Sequence, residues 1–367
     1  MFKKILKALD YSIIIFSFVL FIIGIIALYS ANGGVDGDTS ETMKQVVWMI
    51  VGVVTMIAII FIDYDVFGKL WVPLYVLTII ALIAVLFTEP INGATSWFNI
   101  GPISIQPSEF GKIVLILGLG KVIENFKKKN IINKPLVILT ILAFVAVPIL
   151  LVIKQPDYGT AMVLIVITAA MLYTGGINYK YIVGAVIITA IAIPVAYNYV
   201  LPAHAKSRID VFLNPQSDPQ GAGYNIIQAE LAVGSGQLFG MGLLEGNQTQ
   251  LGYLPMKVTD FIYAVISEEM GFIVSTLVVV LFVLLIIRGF YIAKMTSDLY
   301  GMLIATGIST MYLAHFIENV GMNIGLMPIT GIPLPFISYG GSAMLTNFIG
   351  LGLLLSVNGH RTRKMFE

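Results

Sequence analysis

Residues 135–153 read PLVILTILAFVAVPILLVI, with Thr140 the one polar side chain and no charge. A helix rises about 1.5 Å per residue, so roughly 20 residues cross a hydrocarbon core of ~30 Å. This run has that length and lacks the polar face that a water-facing helix needs. It is a membrane span, and the rest of the chain follows its pattern. Apolar blocks recur near 11–30, 45–63, 70–88, 107–125, 135–153, 160–175, 180–200, 260–287, 302–325 and 341–357. The sequence therefore predicts an all-α, polytopic integral membrane protein with about ten transmembrane helices. One domain covers 1–367, with one long extracytoplasmic loop at about 201–259.

Composition agrees. Of 367 residues, 58% are hydrophobic and 11% charged, against roughly 25% charged in soluble domains. Net charge is +1, so nothing points to nucleic acid. Cysteine is absent, which excludes a disulfide framework and thiolate chemistry. The three histidines, at 204, 315 and 360, have no zinc-ligand spacing. Lys3, Lys4 and Lys7 precede the apolar run Tyr11–Leu28. That run exceeds a signal-peptide core of about 7–15 residues, so it reads as an uncleaved first span.

Basic residues set the orientation. With the N-terminus inside, 15 of the 21 Lys and Arg fall on the inner side. Lys44, Lys112, Lys154, Lys206, Arg208 and Lys257 make up the other six, outside or at its membrane edge. An even span count puts both termini in the cytoplasm. Segments 89–106, 154–159, 201–259 and 326–340 then share the outer face, and they hold nearly all the unusual residues.

Charge at membrane depth costs roughly 2.5–3.5 kcal/mol per group on insertion scales, so each such group needs a partner, water or a function. Glu109 and Lys112 lie in QPSEFGK (106–112), three apart on one helix face. Pro107 suits a first turn, and Ser108 reads as its cap. The pair is either a structural ion pair or the lining of a cavity open to the outside. Asp260 stands where the long loop meets the next span, as an N-cap or as a base. Glu268 and Glu269 follow two turns on; being adjacent, only one of them can face a cavity squarely. Asp157 sits in the turn QPDYG (155–159), as an Asx-turn closing a helical hairpin or as an outer-edge carboxylate. His315, Glu318, Asn319 and Asn323 form a polar stripe, either glue between helices or a substrate contact. Segment 327–342 has three prolines and three glycines and cannot be regular helix. Such backbone must be buried in protein or face water. Lys206 and Arg208 are candidates for a phosphate, or a solvated loop face.

Five ordered blocks go further: WF (97–98) through QPSEF (106–110); QPDYGT (155–160); DPQGAGYN (218–225) with GSG (234–236); LP (254–255) through TDFIYAVISEE (259–269); and NVGMNIGLMPITG (319–331) through SYGGSA (338–343). Over nearly its whole length the chain resembles the SEDS family (shape, elongation, division and sporulation). Segments GNQTQL (246–251) and GLMPITGIPLP (325–335) resemble its rod-shape, elongation branch more than its division branch. Two departures stand out: Met256-Lys257-Val258 replaces the family's acidic, His-containing approach to the aspartate, and Ser267 stands where Gly is common.

The resemblance implies a peptidoglycan glycosyltransferase in the bacterial cytoplasmic membrane, active on its outer face. Its substrates would be lipid II and the nascent glycan strand. Its partners would be a class B penicillin-binding protein (a single-pass transpeptidase), other elongation-complex membrane proteins and membrane lipid. The family's essential aspartate maps to Asp260, and its functional Glu and Lys to Glu109 and Lys112. Trp97, Asp157, Lys206, Arg208 and Ser338 are the expected substrate contacts. Lys112, Arg208 or a divalent cation (Mg or Mn) would neutralise the departing pyrophosphate. An α-linked donor and a β-linked product imply inversion. A lipid II flippase is the main rival and predicts polar groups across the full membrane thickness. A scaffold for division or elongation proteins needs no such cluster.

Overall fold

The structure is a computed structural model describing residues 9–90, 93–101, 103–199 and 203–364. Its helices are α1 (Tyr11–Ala31), α2 (Ser40–Phe61), α3 (Tyr64–Lys69), α4 (Trp71–Ala84), α5 (Pro107–Lys128), α6 (Pro135–Lys154) and α7 (Tyr158–Thr174), then α8 (Tyr179–Tyr199), α9 (Ala203–Leu213), α10 (Ala222–Ser235), α11 (Asn247–Gln250), α12 (Ile262–Met295), α13 (Leu299–Asn323) and α14 (Gly341–Lys364). Each of the ten expected spans falls on one of the longer helices. Among the described residues, six helices are long and apolar enough to cross a membrane: α1, α2, α6, α12, α13 and α14. Two shorter apolar ones, Trp71–Phe87 and Tyr158–Thr174, join them. Helix α5 has the length, at 22 residues, but its charges set it apart.

Helix α6 shows how the sequence sorts its faces. Val137, Ile141, Val145 and Val152 are buried, whereas Leu136, Leu139, Leu142, Leu150 and Ile153 are exposed. Both sets repeat every three or four residues, so one stripe packs inward and the other meets lipid. Burial also ranks the helices. It reaches 78% and 83% in the apolar windows of α13 and α14, but 28% and 33% in α2 and α6. Helices α13 and α14 therefore stand at the centre with α5, whose residues Gly111–Gly120 are buried without interruption.

Three features depart from the sequence reading. Segment 89–106 holds a small antiparallel hairpin, β1 (Phe98–Ile100) with β2 (Ile103–Ile105), so the all-α description holds for the spans only. Its tight turn includes Gly101 at φ 62°. The loop 201–259 is largely helical, through α9, α10 and α11. The span expected at 260–287 is broken: Gly271 has φ 78° and ψ −178°, a conformation natural only to glycine. Segment 236–242 repairs the break. Met241 N and Gly242 N donate to Glu268 O and Glu269 O, while Phe272 N and Ile273 N donate to Gln237 O and Leu238 O. The interrupted backbone is thus satisfied inside the protein, as a low-dielectric setting demands.

Candidate functional site

Pro107 opens α5, where a missing N–H costs nothing. Gln106 holds the cap position without a side-chain cap. Ser108 does not cap the helix: its hydroxyl is buried and has no hydrogen-bond partner among the described residues. One turn on, Lys112 Nζ lies 2.7 Å from Glu109 Oε1, and both side chains are sealed from solvent. The same ammonium lies 2.7 Å from His315 Nε2 on α13. His315 Nδ1 faces Pro333 O at 3.1 Å. An ammonium can only donate and a carbonyl can only accept. His315 is therefore neutral, protonated at Nδ1 and accepting at Nε2. The chain Glu109–Lys112–His315–Pro333 ties α5 through α13 to the irregular strap 327–340.

The stripe on α13 continues the tie. Asn319 Nδ2 donates to Asp260 O and Ile332 O, at 3.0 and 2.8 Å. Asn323 Nδ2 donates to Asp260 O at 3.0 Å, and its Oδ1 accepts from Ala264 N at 3.1 Å. The glue reading holds for both asparagines, and what they glue is the backbone of Asp260. Glu318 is also buried. The Thr330 hydroxyl lies beside it, and its Oε2 has no hydrogen-bond partner among the described residues.

Asp260 is partly exposed, unlike Glu109 and Lys112. It is not an N-cap: α12 starts at Ile262 with Phe261 in the cap position and no side-chain cap. Gly331, at φ 72°, lies beside its carboxylate, where an added Cβ would make an ordinary van der Waals contact with Oδ2 at 3.5 Å. Ser338 fixes the same turn from behind. Its hydroxyl donates to Thr259 O at 2.6 Å and accepts from Leu334 N at 2.8 Å. Those two bonds make Ser338 a tether of the Asp260 turn. Gln45 Nε2 holds its carbonyl at 2.8 Å.

Asp157 is the N-cap of α7, accepting from Thr160 N at 3.1 Å. Its other oxygen accepts from Gln106 Nε2 at 2.9 Å. Burial pushes the Asp157 carboxyl up from its ordinary value, and the Thr160 N–H and the Lys112 ammonium pull it back. Both readings of this residue therefore meet in one place, a cap turned toward the pair on α5. Trp97 is half-buried beside the hairpin. The other expected residues lie apart. Lys206 Nζ donates to Asn198 O at 3.1 Å, and the Arg208 side chain is outside the described residues. Glu268 and Glu269 both turn to the long loop, accepting from Thr249 and Gln250.

For a divalent cation, no three His, Asp or Glu side chains converge among the described residues, so the protein alone builds no cage. The sequence reading missed Gln106, Thr330, Gly331 and Pro333, whose roles come from backbone placement. It also missed the link from His315 to Lys112, which 203 residues separate. The resulting site is acidic: Glu109, Asp157 and Glu318 lie within electrostatic reach of Lys112, and Asp260 is tied to the same stripe of α13 through Asn319 and Asn323. Asp157 and Asp260 are partly exposed, whereas Glu109 and Glu318 are buried.

Comparison with known proteins identifies this architecture. A family model described as cell cycle protein, for FtsW, RodA and SpoVE, matches residues 10–363. The chain is 34% identical to the peptidoglycan glycosyltransferase MrdB of Escherichia coli (strain K12), over 96% of this chain and 94% of that protein. It is 36% identical to stage V sporulation protein E of Bacillus subtilis (strain 168), over 95% and 96%. Among solved structures, it matches a chain of a peptidoglycan synthase complex that coordinates polymerization and crosslinking. The TM-score is 0.84 at 26% identity, covering 96% of this chain and 98% of that one.

Proposed function

The chain belongs to the FtsW/RodA/SpoVE family of cell cycle proteins, and on that premise we propose that it polymerises lipid II as the family's elongation (RodA-type) member. It is a multi-pass protein of the bacterial cytoplasmic membrane and a peptidoglycan glycosyltransferase. The elongation branch is supported by GNQTQL (246–251) and GLMPITGIPLP (325–335). Identities of 34% and 36% to the two relatives do not separate the branches. A transpeptidase of the class B penicillin-binding type is the proposed partner, supported by the matching synthase complex.

One observation carries the mechanism: Asp260 is a partly exposed carboxylate just before α12, and two asparagines clamp its backbone. Its carboxylate takes the proton of the acceptor C4 hydroxyl, which is a poor nucleophile until a base does so. The hydroxyl oxygen bonds to the donor's anomeric carbon, and the bond to the diphosphate breaks with inversion. Glu109 orients Lys112 and the pair sets the field of the pocket, while His315 anchors Lys112 to the strap. Between Lys112 and Lys121 on α5, residues Ile113–Gly120 are all apolar and buried. Eight such residues make a dry stretch of about 12 Å, which favours an enzyme over a flippase.

The test is polymerisation of purified lipid II by the protein with its transpeptidase partner. Asp260→Asn is expected to lose roughly 10²–10⁴-fold in rate. Wild-type rates from that variant would remove the base assignment. Lipid II crossing liposomes without forming strands would favour the flippase.

A further inference from the structure

Lys257 is a cation that the mechanism above does not use. It lies three residues before Asp260. Its Nζ donates to Thr249 O at 2.9 Å, and it makes no ion pair among the described residues. The residue is half-buried. Burial pushes its ammonium down from the ordinary lysine value, and the Glu269 carboxylate acts in the other direction. A cation withdrawn from water without an anion beside it costs free energy. A fold that keeps one so close in sequence to Asp260 gains when an anion arrives.

The ammonium is also held in place. Glu268 is fully buried, and its carboxylate accepts from Gln248 N at 2.7 Å, Thr249 N at 3.0 Å and Thr249 Oγ1 at 2.6 Å. That fixes the turn whose carbonyl holds Lys257. On the other side, Thr259 N and Phe261 N both donate to Met256 O, at 3.1 and 3.2 Å, with Met256 at φ 48°. This strained turn folds the chain tightly between Lys257 and Asp260. Of the other candidates, Lys112 is engaged by Glu109 and His315, Lys206 donates to Asn198 O, and the Arg208 side chain lies outside the described residues.

We propose that Lys257 binds the diphosphate of the polyprenyl-linked donor and stabilises it as it leaves, with Glu268 positioning Lys257 through Thr249. The inference rests on the glycosyltransferase reading. In the step, the acceptor oxygen bonds to the anomeric carbon as the carbon–oxygen bond to phosphorus-bound oxygen breaks. That bond's electron pair goes to the diphosphate, whose oxygen accepts a hydrogen bond from Lys257 Nζ. The acceptor proton goes to Asp260.

The experiment titrates inorganic pyrophosphate into the detergent-solubilised full chain by calorimetry, and measures KM and kcat for lipid II in parallel. Wild type is compared with Lys257→Gln, Lys257→Arg and Glu268→Gln, each checked for unchanged thermal unfolding. Lys257→Gln is expected to weaken pyrophosphate binding by about tenfold or more, since a charge-assisted bond is lost. Lys257→Arg keeps most of the binding, and Glu268→Gln loses part of it with Lys257 intact. Equal pyrophosphate affinity in wild type and Lys257→Gln overturns the proposal, as does no measurable binding by wild type. If Lys257-dependent binding is seen but no strands form, the anion site stands and glycosyl transfer falls. Strands with an unchanged affinity leave glycosyl transfer standing and remove Lys257.

Discussion

Helix α5 carries a Glu–Lys pair at each end, in opposite order along the chain. Glu109 and Lys112 are three apart at 2.7 Å, and Lys121 and Glu124 are three apart at 2.9 Å. Residue types, spacing and distance hardly differ; the surroundings do. The outer pair has side-chain exposures of 1% and 3%, and it reaches a neutral histidine on another helix. The inner pair sits at 17% and 10% and shares Glu124 with Lys128, which is 71% exposed. Asp63, Asp65, Lys69 and Asp298 line the same inner cleft, of about 580 Å³. By the lysine bias that end faces the cytoplasm. An ion pair at three-residue spacing therefore says little about function until its burial and further partners are known.

The largest effect belongs to the outer pair. Lys112→Met leaves Glu109 as a buried charge without its partner, which costs about 3–5 kcal/mol. Thermal unfolding in detergent should fall steeply, and polymerisation should stop. The double variant Glu109→Gln/Lys112→Met removes both charges and should recover most of the stability while staying inactive. Wild-type polymerisation by the folded double variant would reduce the outer pair to a structural brace, and the contrast with the inner pair would collapse to burial alone.

How much of this could be read beforehand follows from the physics of each signal. The ten spans were legible because lipid imposes a length and a hydropathy on every crossing segment. The polar residues of α13 were legible too, since His315, Glu318, Asn319 and Asn323 stand out at helical spacing. Their targets were not. Asn319 and Asn323 bond to the backbone carbonyl of Asp260, and any residue there would offer one. The break at Gly271 was hidden because a single glycine inside a long apolar run does not mark a helix end, and the satisfying groups come from 236–242. Ser108 and Asp260 looked like caps by type and place; the cap positions are held instead by Gln106 and Phe261.

The second prediction probes a link that no spacing rule encodes. His315→Leu removes the Nε2 acceptor from Lys112 and the Nδ1–H donor from Pro333 O. Each buried partner left unsatisfied costs about 1–3 kcal/mol, and polymerisation should fall with the strap displaced. His315→Gln offers one acceptor and one donor in their place, and should restore much of both. Equal damage from the two substitutions would mean that imidazole shape matters, and not its hydrogen bonds.

The smallest effect is expected at the inner end. Lys121 Nζ pairs with Asp65 at 3.3 Å and lies 3.7 Å from the Tyr300 ring centroid. Pairs near water contribute about 0.2–1 kcal/mol, and a partly exposed cation–π contact about 0.5–1 kcal/mol. With so much of the cleft reachable by water, Lys121→Gln should cost about 1 kcal/mol and leave polymerisation close to wild type. Salt separates the two ends further. At physiological ionic strength the screening length is about 8 Å and it shrinks as salt is added, so the Lys121→Gln deficit should narrow in high salt. The Lys112→Met deficit should not, because no ions enter its surroundings. A loss of polymerisation in Lys121→Gln as complete as in Lys112→Met would show that the two ends of α5 act together, and that the dry Ile113–Gly120 stretch transmits between them.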